Sequence, residues 1–376
     1  MLKIAIVTNN YKPYSGGLVS SIDSFSNELR TAGHKVIIVT LDFLGNNNGN
    51  EKDIFRIRCH VRFNYKNNPI AIPFNADNEL LGILKDFSPD IIHSQHPFLL
   101  GISALKASKK LQIPIVFTYH TQYDKYLHYI PLPYKISEPI VKNLALNYCR
   151  KIDGIIVPSQ SINNFLNEHS VNKNIQVIPS GILPVFLPQD FKIKEKKKVF
   201  HLLTVSRFRK EKNIEFLLEA FSKLDQNKFK FTLIGYGSDL EHLKNYAYQK
   251  LNLAESNVQF IEKPEKEIIL SYYKSADVFI FSSVTETQGI VLAEAMANGT
   301  PVIAFDAPGS NDIIKNGFNG FLVNSLQEMI ERILLIAENR RLNELLQFNA
   351  YKTGQEYSSE KTTAKLVNFY KLFIRK

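Results

Sequence analysis

The chain has no tryptophan and two cysteines, Cys59 and Cys149. Two distant cysteines make neither a disulfide framework nor a thiolate metal site. Their scarcity suits a reducing, cytosolic setting. No run approaches the roughly 18 apolar residues that a membrane helix needs; the longest candidates, such as Pro97–Leu105, reach half that length. Met1–Thr8 is apolar but shorter than a signal h-region, and no small-residue cleavage pattern follows it. A leader is therefore not expected, and any membrane contact would be peripheral. No GxGxxG and no P-loop follow the first apolar run, which argues against a nicotinamide enzyme.

What is present is an ordinary globular balance, 44% hydrophobic and 22% charged over 376 residues. A mainly disordered or fibrous chain is excluded, and two domains are expected from the length. Lys and Arg number 46 against 36 Asp and Glu, a net charge of +10. An excess of this size points to an anionic partner: nucleic acid, a nucleotide or an anionic membrane. No helix-turn-helix, zinc or RNP pattern supports nucleic acid.

Short β-rich runs alternate with helical patterns. Strands are expected at 2–8, 35–41, 91–94, 115–118, 154–158 and 176–178, with helices at 17–32, 76–87, 98–111, 134–151 and 160–168. Near-continuous apolar strands between helices indicate a parallel sheet covered on both faces. From Ser180 to Lys198 the pattern breaks: Gly181, Pro184, Pro188 and the run Lys192-Ile193-Lys194-Glu195-Lys196-Lys197-Lys198 read as a linker. A second series follows, with strands at 199–205, 229–235, 258–261, 278–282 and 301–305. Its helices fall at 214–224, 240–251, 265–275, 290–298 and 326–338, and an amphipathic helix spans 359–375. The expected fold class is α/β, with two doubly wound domains of similar size.

Four segments carry candidate chemistry. Pro13-Tyr14-Ser15-Gly16-Gly17 follows the first strand and opens the first helix, a favoured place for a phosphate; a tight turn explains the glycines equally well. Val116 to Tyr126 ends a strand in the polar cluster Tyr119-His120-Thr121-Gln122-Tyr123-Asp124, where open α/β sheets place ligands. Next, Arg207 and Lys212 stand at a strand-to-helix turn, where two cations suit a diphosphate. From composition alone a solvated charge run is the better reading there. The strongest segment runs from Glu286 to Ala304. Glu286 and Glu294 lie eight apart, and Gln288, Gly289 and Ile290 offer backbone N–H groups at a helix start. Glu294, about a turn inside, could accept two hydroxyl hydrogen bonds from a ribose.

Together these segments resemble family 4 retaining glycosyltransferases of the GT-B fold. The resemblance spans essentially the whole chain. Its most specific element is E-x(7)-E, Glu286 to Glu294, followed by Ala295-Met296-Ala297-Asn298-Gly299-Thr300-Pro301-Val302. Gly309-Ser310-Asn311-Asp312 and Gly317–Val323 match the family's sequel. It implies two facing Rossmann-like domains: an acceptor domain at 1–190 joined by the last helix, about 357–376, and a nucleotide-sugar domain at 191–356. It further implies that Arg207 and Lys212 neutralise the donor diphosphate in place of a metal, so that no metal or other cofactor is used. Glu294 would bind the ribose and Glu286 the transferred sugar, beside the Gln288, Gly289 and Ile290 backbone. Gly16 and Gly17 would let their loop approach the donor, with Thr8 and Tyr14 as neighbours. His120 would contact the donor sugar on the reacting face. No general base is assigned.

The run Tyr119 to Pro131, with Ile92-His93-Ser94-Gln95-His96-Pro97, looks like diacylglycerol glucosyltransferases. It implies α-glucosyl transfer from UDP-glucose to the free hydroxyl of 1,2-diacylglycerol. Gln95 stands where the group often has another polar residue, which leaves glucose or galactose open. Another lipid, a soluble sugar or a polysaccharide is the alternative acceptor. Residues 101–150 hold seven basic residues, Lys106, Lys109 and Lys110 among them, and two acidic ones. Tyr123 and Tyr126 interleave with these beside Asp124. Such a surface suits peripheral binding to anionic lipid at the inner face of the cell membrane. An ordinary solvated helix face is the competing account.

Overall fold

The computed structural model describes residues 1–13, 16–43, 45, 52–65, 68–120, 134–188 and 190–374. The chain divides into two compact units, Met1–Ser180 with Thr362–Lys376, and Gly181–Lys361.

The first unit runs β1 (Lys3–Val7), α1 (Gly17–Thr31), β2 (Lys35–Leu41), β3 (Ile54–Ile57), then an antiparallel hairpin of β4 (Val61–Tyr65) and β5 (Asn68–Ile72). It continues α2 (Ala76–Phe87), β6 (Ile91–Ser94), α3 (Leu100–Leu111), β7 (Ile115–Thr118), α4 (Tyr134–Cys149), β8 (Gly154–Val157), α5 (Gln160–Glu168) and β9 (Asn174–Val177). Seven strands pair in parallel in the order β3-β2-β1-β6-β7-β8-β9. Successive side chains leave a strand on opposite faces. Ala5 and Val7 thus enter one apolar cluster, and Ile4 and Ile6 another.

The second unit runs β10 (Phe200–Arg207), α6 (Ile214–Ser222), β11 (Phe229–Tyr236), α7 (Leu240–Asn245), β12 (Val258–Glu262), α8 (Lys266–Ser275), β13 (Val278–Phe281) and α9 (Ile290–Ala297). Then come β14 (Val302–Phe305), α10 (Ser310–Ile313), β15 (Gly320–Val323), α11 (Leu326–Glu338) and α12 (Arg340–Gln355). Six parallel strands follow the order β12-β11-β10-β13-β14-β15. Helix α13 (Ser359–Lys371) buries Leu366, Phe369 and Tyr370 in the first unit's core. Gly154 permits this: a Cβ there would lie 2.4 Å from the Phe373 ring. No helix among the described residues is long and apolar enough to cross a membrane.

The division falls at 180/181, at the start of the Ser180–Lys198 stretch read as a linker. Ile182 N–H donates to the Tyr357 carbonyl (2.7 Å), and Ile182 and Phe186 pack with Tyr273 and Met296. The lysine run is also fastened to the second unit. Lys194 is half-buried, and its ammonium donates to the carbonyls of Tyr273 (3.1 Å) and Ala276 (2.7 Å) and to Thr300 Oγ1 (2.5 Å). Burial pushes its pKa down to about 7. Composition marked this stretch as loose because it cannot show that one lysine finds three acceptors.

Candidate active site

In the first unit β1, β6 and β7 are neighbours, so their carboxyl ends bring Thr8, Gln95, His96 and His120 to one edge. The Asn9 backbone N–H donates to His96 Nδ1 (3.1 Å), and the Asn9 side chain bridges the Phe98 carbonyl and the Leu100 N–H at 3.1 Å each. His120 Nε2 lies 2.6 Å from Gln95 Oε1. Beneath it, His93 Nε2 meets Thr118 Oγ1 at 2.6 Å and Tyr370 Oη meets His93 Nδ1 at 2.7 Å, so α13 reaches the same ladder. Gly16 has φ 145°, a backbone few other residues adopt, whereas a Cβ on Gly17 would meet nothing within 4 Å. The turn therefore requires the first glycine, and packing among the described residues leaves open space at the second. Tyr14, Tyr123, Asp124 and Tyr126 lie outside the described residues.

Burial lowers the pKa of His93, His96 and His120 from 6.5 to about 3, 4 and 3, with His96 and His93 adding to the effect on His120. All three are neutral near pH 7. A group with a lowered folded pKa contributes its stability above the unfolded value and loses it as pH falls toward the folded one. For His93, 1% exposed, the loss below pH 6.5 is about 1.4 kcal/mol per pH unit. Residues 91–118 should therefore lose protection in urea-dependent hydrogen exchange between pH 6.5 and 5, above the range of most carboxylates. A flat stability over that window contradicts the neutral assignment.

In the second unit β10 ends at Arg207, and a single turn, Lys210–Lys212, leads to α6. The Ser282 hydroxyl, just past β13, lies 2.8 Å from the Lys212 and Asn213 carbonyls and holds that turn. Lys212 Nζ forms an ion pair with Glu286, the two side chains 13% and 24% exposed. Arg207 is exposed and has no side-chain partner among the described residues. The structure thus joins Lys212 to the E-x(7)-E element and leaves Arg207 open.

Gly289, at φ 66°, caps α9. Gly309, at φ 84°, packs beneath the Glu286 loop: a Cβ there would stand 3.1 Å from Gln288 N and from the Glu286 carbonyl oxygen. Glu294, on α9, accepts a hydrogen bond from Tyr273 Oη (2.9 Å), and burial pushes its carboxyl up to about 7. Two buried hydroxyls, Thr285 Oγ1 and Ser310 Oγ, have no hydrogen-bond partner among the described residues. A buried polar atom left so calls for a partner.

Gln95, Tyr273, Thr285 and Ser310 were not singled out as site residues from sequence. The signal for Gln95 was a polar run, His93 to His96, at the end of an apolar strand. For Tyr273 there was no signal, because the tyrosine that meets Glu294 sits on another helix. Lys106 pairs with Asp77 at 2.6 Å, whereas Lys109 and Lys110 are exposed and have no partner among the described residues.

Two doubly wound parallel-sheet units, each with polar residues at its strand carboxyl ends, define a two-domain Rossmann-like protein. Residues 15–184 match Glycosyltransferase Family 4 and residues 186–353 match Glycosyl transferases group 1. The chain is 34% identical to the alpha-monoglucosyldiacylglycerol synthase of Streptococcus pneumoniae, covering 89% of this chain and 78% of that one. With the protein of the same name from Acholeplasma laidlawii it shares 27%, covering 96% and 94%. The solved structure of Anabaena HepE in complex with UDP superposes with a TM-score of 0.78 at 17% identity, covering 99% and 100% of the two chains, a likeness of fold. This chain belongs to glycosyltransferase family 4 and has the GT-B fold; it is an enzyme of the glycosyltransferase class.

Proposed function

We propose that the enzyme moves an α-glucosyl unit from UDP-glucose to the free hydroxyl of 1,2-diacylglycerol, with retention and without a metal. The observation that carries this reading is the 34% identity to a monoglucosyldiacylglycerol synthase over 89% of the chain.

The chemistry agrees with the residues. Breaking the anomeric C–O bond leaves negative charge on the departing diphosphate, and fixed cations stabilise that charge. Arg207 and Lys212 take this role. Glu286, steadied by Lys212, accepts hydroxyl hydrogen bonds from the sugar, beside the Gln288, Gly289 and Ile290 backbone. Glu294 accepts from the ribose, whose donated hydrogen bonds favour the carboxylate. His120 lines the reacting face, and Gly16 and Gly17 allow close approach of the donor. The acceptor hydroxyl bonds to the anomeric carbon on the face the diphosphate leaves, and its proton passes to the leaving phosphate. The decisive assay is mass spectrometry of products from a donor panel on mixed lipid extracts. One hexose added to diacylglycerol from UDP-glucose supports the reading; transfer only to soluble sugars defeats it.

A lipid acceptor asks for a surface that meets a bilayer. Ile140 and Leu144 are 50% and 53% exposed and lie four apart on α4, while Leu99 and Ile102 are 45% and 46% exposed around the start of α3. Lys109 and Lys110 follow on α3. Apolar side chains beside lysines suit the interface of an anionic membrane. Anionic vesicles should recruit the protein and high salt release it. Replacing Ile140 and Leu144 together by Ser should weaken recruitment by about tenfold or more, since a buried aliphatic side chain contributes about 1.5–3 kcal/mol. Failure to bind at any salt concentration counts against a lipid acceptor.

A further inference from the structure

The polar residues on β6 and β7 form two rungs. Two residues apart on an extended chain means the same face, so His93 and Gln95 share one side of their strand, and Thr118 and His120 share one side of the next. His93 bonds Thr118, and Gln95 Oε1 lies 2.6 Å from His120 Nε2. Gln95 is 3% exposed and turns its amide oxygen, not its amide nitrogen, to the ring. An amide oxygen accepts and never donates, so this contact requires the proton on Nε2. Nδ1 of His120 is then the lone-pair nitrogen. An amide, unlike a carboxylate, does this without favouring the imidazolium. Among the described residues, the titratable groups that bear on the ring, His96 and His93, are neutral, as is Tyr370 behind His93.

We propose that Gln95 is a positioning residue that fixes His120 in one tautomer, Nε2–H, and one ring orientation. Its catalytic consequence rests on the reading of His120 as a group on the reacting face; the tautomer itself does not. Glutamate at this position would accept the same hydrogen bond but also favour the charged ring. Burial keeps His120 neutral, and the residue type at 95 shifts the pH at which that ends.

The test uses the full chain with nitrogen-15-labelled histidine. His120 signals are assigned by their loss in His120→Asn, and wild type is compared with Gln95→Leu, Gln95→Met and Gln95→Glu. Long-range proton–nitrogen spectra should show protonated Nε2 in the wild type and a tautomer mixture in Gln95→Leu. Gln95→Met, closer in length, serves if the Leu variant fails to fold. In Gln95→Glu the ring should titrate about 1–3 pH units higher. Turnover should fall about 100-fold in Gln95→Leu, with the donor KM nearly unchanged, as for a misplaced group. Gln95→Glu should recover near wild-type turnover at alkaline pH and lose it as pH falls. Protonated Nδ1 in the wild type, or an unchanged tautomer in both apolar variants, overturns the proposal. A tautomer shift without a kinetic effect refutes the catalytic consequence alone, whatever the acceptor proves to be.

Discussion

Lys212→Ala should lower kcat/KM by about 10²–10³-fold, the loss of one key group that stabilises developing charge. Two effects combine in it. On the proposed reading the donor diphosphate loses a cation, and Glu286, 24% exposed, loses the ammonium that holds it. A cycle with Glu286→Ala should be strongly non-additive, because contacting residues couple. Arg207→Ala should also reduce turnover, by about 2–4 kcal/mol of barrier, yet leave the melting temperature nearly unchanged. An exposed guanidinium with no partner among the described residues holds no part of the fold together. Initial rates with UDP-glucose, set beside thermal melts, separate the two cases. Near-normal turnover in a folded Arg207→Ala protein would falsify the diphosphate role.

Gly354→Leu should strongly destabilise the second unit. Gly354 lies on α12 against α9, and a Cβ there would fall 2.2 Å from Ala297 N and 2.3 Å from its Cα. The opposing atoms are backbone, so no side-chain rotation relieves the clash, and α12 must move off α9. Overpacking of this kind costs about 1–3 kcal/mol and occasionally more; with backbone on both sides we expect the upper end. Since α9 carries Glu294, binding of UDP should weaken together with stability. Calorimetric melting and UDP titration of the same protein test this. An unaltered melting temperature would refute the tight α9–α12 contact.

Most parallel strands were legible because they are buried on both faces and read as apolar runs; β2, β6 and β7 stand at the expected residues. Some elements were missed. Helix α12 buries Asn343, Gln347 and Asn349, and these polar residues blur the apolar period by which a helix is recognised. Gln347 is buried because it is satisfied: it accepts from Lys194 N–H and donates to Asn343. Strand β3 and the β4–β5 hairpin are short and interrupted by Arg56, Arg62 and Pro69. Strand β15, four residues at a sheet edge, was read only as part of a motif.

The site divides in the same way. Residues close in sequence were readable together: Gly289 at the cap of α9, and Glu286 and Glu294 around it. Residues joined across strands and helices were not. By itself the sequence determined two doubly wound domains, the family, and the residues on which the proposed donor chemistry rests, since local pattern and motif spacing carry that information. Only the tertiary structure decided which partners those residues have: Lys212 with Glu286, Tyr273 with Glu294, Gln95 with His120, and Tyr370 with His93. The physical reason is that a buried polar group must find a partner, and in these units the partner comes from 21 to 277 residues away.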